Sequence, residues 1–379
     1  MLYKHQQKYA NGYKDKELVV HEGGSGKTIC ACVWLKDNRD DDALVICPKR
    51  VVKKWQEALA VWGTKATVVS KENFKKLEPK KWSALVVDEA DEFASPLYTK
   101  QRSQLSTYLF NQVNKYDVPI LLMTATPIRS NPYNLHTLLA FKGHYIEWKK
   151  WRNAFFEQVS RPYLKFPTWM PKADWRENVA TVLKNHADIV NLKDITELPP
   201  LYVETIKTPP KGHFINEWIE PKKTFVERHK FEQNDKVKYI KEVGKNFRKI
   251  IVVAYYREEV ERLNKELSKE RETFMVHGGT KNQEDILKYA NEKSEECYLV
   301  VQASLGCAWD GDTFSALVFT SMSYAVRDYV QMTYRMRRIH NMHPAHHYHL
   351  IAGKADKVVY DTIKKGKKFI PSLWNDSQE

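Results

Sequence analysis

The sequence lacks the features that would place it in a membrane or outside the cell. No apolar run approaches the roughly 20 residues that a membrane-spanning helix needs, and the longest run, residues 250–256, has the length of a strand. The first residues have no apolar core of the kind found in signal peptides. Only five cysteines occur in 379 residues and none forms a C-x-x-C pair, so we expect reduced core thiols in a cytoplasmic protein.

Internal repeats and low-complexity segments are also absent, whereas positive charge is in excess. Lysine and arginine total 61 against 47 aspartates and glutamates, which gives a formal net charge of +14. Such an excess suits a polyanionic partner such as DNA or RNA, although a basic surface without any partner would have the same composition. The aromatic content of 12% is typical of a folded chain rather than of a basic disordered tail.

Glycine is scarce, yet three of the 14 glycines stand together in the stretch HEGGSGKT, residues 21–28. An apolar strand pattern precedes this stretch and a helical pattern follows it, which is the context of a phosphate-binding loop. The usual pattern G-x-x-x-x-G-K-[ST] would have glycine in place of His21. We predict that His21 still belongs to the strand and that the turn needs glycine only from Gly23 onward. The alternative is an ordinary turn between a strand and a helix.

The glycine-rich turn and a pair of acidic residues are the two parts of a predicted nucleotide site. The backbone N–H groups predicted to cradle a β-phosphate belong to Gly23, Gly24, Ser25 and Gly26. Lys27 would reach the β- and γ-phosphates, and the Thr28 hydroxyl would ligate Mg²⁺. In the stretch LVVDEADEF, residues 85–93, Asp88 ends an apolar strand and is predicted to hold Mg²⁺, while Glu89 would polarise the attacking water. Alone, such a pair could be an acidic helix cap; with the loop, it predicts ATP and Mg²⁺.

Short apolar runs alternate with helical patterns in two parts of the chain, which predicts an α/β fold with parallel sheets. The first set of strands is predicted at 17–22, 43–48, 83–90 and 119–126, and the second at 249–256, 272–279, 297–304, 316–323 and 346–353. Between the two sets the pattern breaks into a segment rich in tryptophan and proline. The predicted domains are therefore residues 1–141, a short and mostly helical insert at 142–204, and residues 205–379.

In this order the motifs resemble those of superfamily 2 helicase-type ATPases, and within that superfamily they look most like the Swi/Snf-type DNA translocases. The resemblance rests on LYKHQQKYA (2–10), LVICPKRVVKKWQEAL (44–59), LLMTATPIRSNPYNLHTLLAF (121–141), MVHGGTKNQEDILKYAN (275–291), QASLGCAWDGD (302–312) and QMTYRMRRIHN (331–341). It implies two RecA-like domains in tandem that couple ATP hydrolysis to movement along DNA. The residues implied to contact the nucleotide are Gln6, at adenine, and Gly306 and Asp310.

Two arginines near the end of the second predicted domain complete the expected site. A spacing of three places Arg335 and Arg338 on one helix face, from which guanidinium groups can stabilise a transferring phosphoryl group. A lone R-x-x-R in a basic protein would instead be a solvated face. In the resembling motif, Tyr334 replaces a glycine. The residues implied to contact nucleic acid are Pro48, Lys49, Arg50, Thr124, Thr126, Gly278 and Gln331.

The T-A-T-P sequence followed by N-P-x-x-L-x-x-L-L favours a DNA translocase over an RNA helicase. The compact chain resembles phage or bacterial versions, which indicates replication, recombination or repair in the cytoplasm. An RNA helicase and a nucleotide-gated binding module with little turnover remain alternatives. Five histidines at 340–349 could bind metal, but their spacing favours a surface or DNA-facing cluster. The tryptophans at 148, 151, 169 and 175 are expected in a core rather than stacked on bases.

Overall fold

The computed structural model describes residues 2–10, 13–36, 42–95, 97, 103–128, 132–160, 166–209, 236–293, 295–305, 309–337, 341 and 343–367. The chain forms two compact units, the first within Met1–Ile195 and the second spanning Thr196–Lys367. Within the described ranges, no helix is both long enough and apolar enough to cross a membrane.

The first unit is built on a six-stranded parallel sheet in the order β3-β2-β4-β5-β1-β8. Its strands are β1 (Lys16–His21), β2 (Leu44–Cys47), β3 (Thr67–Ser70), β4 (Leu85–Asp88), β5 (Ile120–Thr124) and, after the hairpin strands β6 (Phe156–Val159) and β7 (Thr168–Pro171), β8 (Ala187–Val190). Its helices are α1 (Lys4–Gln7), α2 (Lys27–Lys36), α3 (Val52–Trp62), α4 (Lys71–Phe74), α5 (Gln104–Tyr116), α6 (Tyr133–Phe141), α7 (Trp148–Phe155) and α8 (Trp175–His186).

Apolar residues cover both faces of this sheet, as expected for parallel strands buried on both sides. In β1, Leu18 and Val20 pack into one core cluster, whereas Val19 packs into the cluster on the opposite face. This alternation follows from the two-residue period of side chains along a strand. The four apolar runs predicted as strands in the first 130 residues are therefore confirmed as β1, β2, β4 and β5.

The segment predicted as a separate insert is shared between the two sheets. Its strand β8 pairs with β1 in the first sheet, and α7 and α8 pack on one core of that sheet through Trp151 and Trp175. Its last strand, β9 (Leu201–Lys207), pairs instead with the second sheet. The division of the chain into compact units accordingly falls after Ile195. The core position predicted for the tryptophans is confirmed, because Trp148 and Trp169 also pack against the same cluster.

The second unit repeats the architecture with six parallel strands in the order β11-β12-β10-β13-β14-β9. Beyond β9, its strands are β10 (Lys249–Ala254), β11 (Thr273–Val276), β12 (Cys297–Gln302), β13 (Ala316–Phe319) and β14 (Ala345–Ile351). Its described helices are α9 (Lys236–Gly244), α10 (Arg257–Leu267), α11 (Gln283–Glu292), α12 (Val326–Thr333) and α13 (Lys354–Lys367). All five strands predicted here are present, so the α/β fold with two parallel-sheet domains is confirmed.

Two histidines of β14 belong to the interior of the second unit, which corrects the expected surface or DNA-facing position for these two, while His346 is half-buried and His343 is exposed. His347 and His349 are buried on one face of the strand. The hydroxyl of Tyr329 lies 2.9 Å from Nε2 of His349, and the His349 ring stacks on Phe319. The side chains of Tyr329 and Phe319 therefore cover the His349 ring inside the unit. His340 lies outside the described residues.

Candidate nucleotide site

The glycine-rich turn joins β1 to α2 and has the backbone that glycine permits. Gly24 and Gly26 have φ values of 86° and 85°, in the left-handed region that other residues rarely adopt. A Cβ atom on Gly26 would lie 2.3 Å from Nε2 of Gln6, so the turn and α1 leave no space for a larger residue there. The turn has the shape of a cradle, and a side chain at Gly26 would disrupt it.

His21 is the last residue of β1 and pairs with Val190 of the neighbouring strand β8. The prediction that the missing glycine falls in the strand is therefore confirmed. Its imidazole points into the first unit, where Nε2 lies 2.8 Å from Oδ2 of Asp188. Burial lowers the pKa of His21 to about 4, against the opposing influence of Asp188. The side chain is therefore neutral at pH 7.

Lys27 begins α2, and its ammonium group folds back over the turn. Nζ donates hydrogen bonds to the carbonyl oxygens of His21, at 2.9 Å, and Glu22, at 3.2 Å. Thr28 follows in the first helical turn and is half-buried. Ser25 is buried, and its hydroxyl has no hydrogen-bond partner in the described part of the chain. A buried hydroxyl of this kind is costly without a partner, and a phosphate oxygen in the cradle would supply an acceptor.

Gln6 connects α1 to the same turn. Its Oε1 accepts a hydrogen bond from the backbone N–H of Tyr3 at 3.0 Å, and its Nε2 lies 3.5 Å from the carbonyl oxygen of Ser25. The side chain is almost fully buried. The structure thus places Gln6 against the phosphate loop, and its contact with adenine stays a prediction.

Asp88 and Glu89 lie at the carboxyl end of β4, on the same edge of the sheet as the turn after β1. Asp88 accepts hydrogen bonds from Nε1 of Trp55 and from the backbone N–H of Glu89, both at 3.0 Å. Burial raises the pKa of the Asp88 carboxyl, while the Trp55 hydrogen bond and the positive charge of Lys27 lower it. A carboxylate, a lysine and a threonine in this setting fit the ligand chemistry of Mg²⁺ and a nucleotide phosphate.

Glu89 has a strained backbone. Its φ and ψ are 51° and 50°, a left-handed conformation that is uncommon for a residue with a long side chain. Strain of this kind persists where the surrounding structure demands it, and it clusters at functional sites. The kink after Asp88 turns the chain directly into the short 3₁₀ helix Ala90–Glu92.

Trp55 is a site residue that the sequence motifs did not reveal as one. It lies in α3, and its indole bond to Asp88 depends on α3 packing beside β4. We expect Trp55→Phe to weaken the apparent affinity for Mg²⁺ about tenfold, since groups that orient a metal ligand typically contribute 10- to 100-fold. Mg²⁺ titrations of ATP hydrolysis measure the change. Trp62→Phe is the matched control on the same helix, and equal effects of the two changes would contradict this role.

Thr124 is the last residue of β5, and its side chain forms hydrogen bonds within the first unit. Its hydroxyl donates to Oδ1 of Asp91 at 2.9 Å and accepts from the backbone N–H of Thr126 at 3.0 Å. Both threonines are buried, so neither side chain is presented to nucleic acid in this structure. Their contact with nucleic acid stays a prediction, and within the first unit they link the Asp88–Asp91 segment to the chain after β5. This role follows from their position at the end of a central strand.

Pro48, Lys49 and Arg50 follow β2, in the short 3₁₀ helix Lys49–Val51 and the residue before it. Pro48 is buried, Arg50 is half-buried and Lys49 is exposed. Of the three, Lys49 is therefore the side chain most accessible to a phosphate backbone. Their contact with nucleic acid stays a prediction.

Arg335 of the second unit lies in a turn rather than on a helix, which corrects for this residue the helix face expected from the spacing. Helix α12 ends at Thr333, and Arg335 lies in the turn that follows. Its guanidinium donates to the carbonyl oxygens of Gln331 and Trp309 within the unit. Gln331 is itself buried, and Arg338 lies outside the described residues.

Two other predicted residues of the second unit are exposed. Asp310 lies on the surface after Trp309. Gly278 is exposed in the turn after β11, where its backbone N–H donates to Oε1 of Gln302 at 3.0 Å. Gly306 lies outside the described residues. In the second unit, Asp310 and Gly278 are therefore accessible to a ligand. The residues predicted to bind phosphate, 23–28, all lie in the first unit.

Comparison with known proteins identifies the fold. No known family model matches the sequence, and no curated protein matches it. The structure is similar to S. cerevisiae Dbp5 bound to RNA and ADP BeF3, with TM-score 0.56 and 13% identity over 99% of this chain and 91% of that one. It is also similar to Mycobacterium smegmatis helicase Lhr bound to ssDNA and AMP-PNP, with TM-score 0.58 and 14% identity over 97% of this chain and 48% of that one.

A third match, the Sulfolobus solfataricus SWI2/SNF2 ATPase core in complex with dsDNA, has a TM-score of 0.44 and 14% identity over 98% of this chain and 92% of that one. Together with the two parallel sheets, the comparisons define a fold of two RecA-like parallel-sheet domains, which the Dbp5 and Lhr structures share.

Proposed function

We propose that this protein is a nucleic-acid-dependent ATPase, and specifically a DNA translocase or helicase that acts on duplex or branched DNA in replication, recombination or repair. The observation that supports it most strongly is the set of groups at the carboxyl edge of the first sheet. There a glycine cradle, Lys27 and the Asp88–Glu89 pair lie together, with burial raising the pKa of the Asp88 carboxyl and the nearby lysine charge opposing that rise. This edge is where parallel α/β sheets bind ligands.

In this proposal the phosphate loop binds ATP, and Lys27 exchanges its two carbonyl partners for phosphate oxygens. Thr28 and Asp88 would hold Mg²⁺, which neutralises charge on the phosphates when bound. Glu89 would orient the attacking water and accept its proton. The left-handed backbone at Glu89 lets its N–H group donate to Oδ1 of Asp88, so the two residues are held together at the end of β4.

The contact between Asp91 and Thr124 supports coupling of hydrolysis to movement. It ties the segment that holds Asp88 and Glu89 to the chain after β5. A movement of the Asp88–Asp91 segment during hydrolysis would therefore be transmitted through Thr124 to the backbone of Thr126. Arg335 and Arg338 are proposed to stabilise the transferring phosphoryl group. Arg335 would first have to release the carbonyl oxygens of Gln331 and Trp309.

Nucleic acid as the partner is supported by the net charge of +14 and by the two solved neighbours, of which one is bound to RNA and the other to ssDNA. DNA as the specific substrate rests on the T-A-T-P motif and on the N-P-x-x-L-x-x-L-L pattern after it. Contacts made mostly to phosphates would be salt-sensitive and largely independent of sequence. An RNA helicase is the second candidate, because the similarity to Dbp5 favours it.

The test is steady-state ATP hydrolysis at one fixed salt concentration, without nucleic acid and then with single-stranded DNA, duplex DNA, a forked duplex or RNA. We expect duplex or forked DNA to raise turnover by at least about tenfold, which corresponds to about 1.4 kcal/mol of transition-state stabilisation. Lys27→Ala serves as the blank. Stimulation by RNA alone would replace the DNA proposal by the RNA helicase, and no turnover on any substrate would contradict both.

A further inference from the structure

A second group of reactive side chains lies beside the phosphate loop, apart from those assigned to ATP and Mg²⁺. His5, His21 and Cys30 each offer one ligand atom, and these atoms lie within 4.8 Å of one another. They come from α1, the end of β1 and α2, the three elements that surround the loop. No other group of three histidine, cysteine or acidic side chains this close is found in the part of the chain that the structure describes.

The hydrogen bonds of the two histidines fix which ring nitrogen carries the proton. Nε2 of His5 lies 2.9 Å from the carbonyl oxygen of Ser25, which can only accept, so this nitrogen donates. Nε2 of His21 lies 2.8 Å from Oδ2 of Asp188. The Asp188 carboxyl group also receives hydrogen bonds from Lys8 and Tyr9, and an ionised carboxylate can only accept. Asp188 is therefore an anionic acceptor, and His21 also donates through Nε2.

A neutral imidazole that donates through Nε2 has its lone pair on Nδ1. In His21 this nitrogen is fully buried and has no hydrogen-bond partner among the described residues. A buried acceptor without a partner is unfavourable, and a metal ion would satisfy it. Histidines that bind a metal characteristically donate their other N–H group to a carboxylate or a backbone carbonyl. His21 and His5 do so to Asp188 and Ser25, respectively.

We propose that His5, His21 and Cys30 bind one zinc ion through two Nδ1 atoms and a thiolate. Nitrogen and sulfur ligands of this kind are the ones that zinc prefers, and a water molecule would fill a fourth position. Ligand atoms around tetrahedral zinc lie about 3.4 Å apart, closer than the 4.8 Å within which one candidate atom of each side chain lies here, so the three side chains would have to draw together on binding. Binding releases the proton of the Cys30 thiol to solvent, and the positive charge of the bound ion is offset by that thiolate and by Asp188 nearby.

Bound zinc would join α1, β1 and α2 and thereby fix the wall of the phosphate loop. His5 connects the bound ion to the loop, because its Nε2 donates a hydrogen bond to the carbonyl oxygen of Ser25 within the loop. We therefore expect zinc to raise the thermal unfolding temperature of the protein. The zinc site rests on contacts within the first unit and not on ATP hydrolysis, so the two proposals can fail separately.

The test titrates the metal-free, full-length protein with Co²⁺ and follows the thiolate-to-cobalt charge-transfer absorption. Zinc affinity is then measured by competition with a chromophoric chelator. We expect one equivalent to bind with this absorption. Cys30→Ala should abolish the absorption and weaken zinc binding by at least about 100-fold. Loss of a residue that only hydrogen-bonds to a metal ligand typically weakens binding by about 10- to 100-fold, so loss of a ligand should cost more. The thiolate signal separates this site from weak binding by other histidines.

Cys32→Ala is the matched control, since Cys32 is equally buried in α2 but is not part of the group. It should leave the absorption and the zinc affinity unchanged. Circular dichroism of the metal-free variants checks that they fold. Asp188→Asn keeps all three ligands and should weaken zinc about tenfold. The proposal is overturned by a wild-type protein without the thiolate absorption, or by a folded Cys30→Ala variant that binds zinc as the wild type does.

Discussion

Glu89→Gln is expected to lower steady-state ATP hydrolysis by about 100- to 10,000-fold, the contribution typical of a positioned general base. The amide has nearly the shape of the carboxylate but cannot accept the proton of the attacking water. The left-handed backbone of Glu89 is retained, since glutamine tolerates it as well as glutamate does. ATP binding should be retained because Lys27 and the glycine turn are unchanged.

Turnover and the binding of a fluorescent ATP analogue, measured side by side, separate the two effects. Glu57→Gln is the matched control, because Glu57 is exposed on α3 and undergoes the same chemical change. It should alter neither measurement. Unchanged turnover in Glu89→Gln would remove the water-activating role and favour a nucleotide-gated binding module over a motor.

The central strands and the phosphate loop could be predicted because local sequence determines them. β1, β4, β10 and β12 each contain a short apolar run that is buried on both faces, and such a run between turn signals is typical of a buried parallel strand. The glycines of the loop report a backbone requirement that holds in any context. His21 could be placed in the strand because the turn itself starts two residues later.

The strands β3, β8 and β9 were not predicted, and each lies at an edge of its sheet. β3 and β8 are only partly buried, and β9 is largely exposed. An edge strand needs fewer apolar side chains than a central one, because one of its sides has no neighbouring strand. Asp188 of β8 also interrupts the apolar pattern, although its partners are the buried His21 and Tyr9.

The contacts of the site were less predictable than its motifs. The indole of Trp55 reaches Asp88 from a separate helix 33 positions earlier in the chain, and no sequence spacing encodes that distance. The helix assumed for Arg335 and Arg338 ends early, at Thr333, whose hydroxyl donates to the carbonyl oxygen of Val330. The motifs therefore predicted that Asp88 and Arg335 are site residues, whereas their hydrogen-bond partners depend on tertiary packing.

Asp356→Asn is expected to destabilise the second unit by about 3–5 kcal/mol, the usual effect of leaving one charge of a buried pair without its partner. Lys236 and Asp356 are each almost fully buried and form an ion pair. Asn keeps the acceptor for the backbone N–H of Ala352, which Oδ2 of Asp356 binds at 2.9 Å. The loss therefore reports the uncompensated ammonium of Lys236, whose other described acceptor is the carbonyl oxygen of Thr320.

Denaturant unfolding of the full-length protein measures this effect through the transition of the second unit. Lys245→Met is the control, because Lys245 pairs with Glu242 on an exposed surface and such pairs contribute about 0–1 kcal/mol. The double variant Lys236→Met/Asp356→Asn removes both charges and should recover part of the lost stability. Lys236→Met alone completes the comparison. If the double variant loses as much stability as Asp356→Asn and Lys236→Met lose together when measured separately, the two side chains are not coupled. The buried charge would then not explain the stability of this unit.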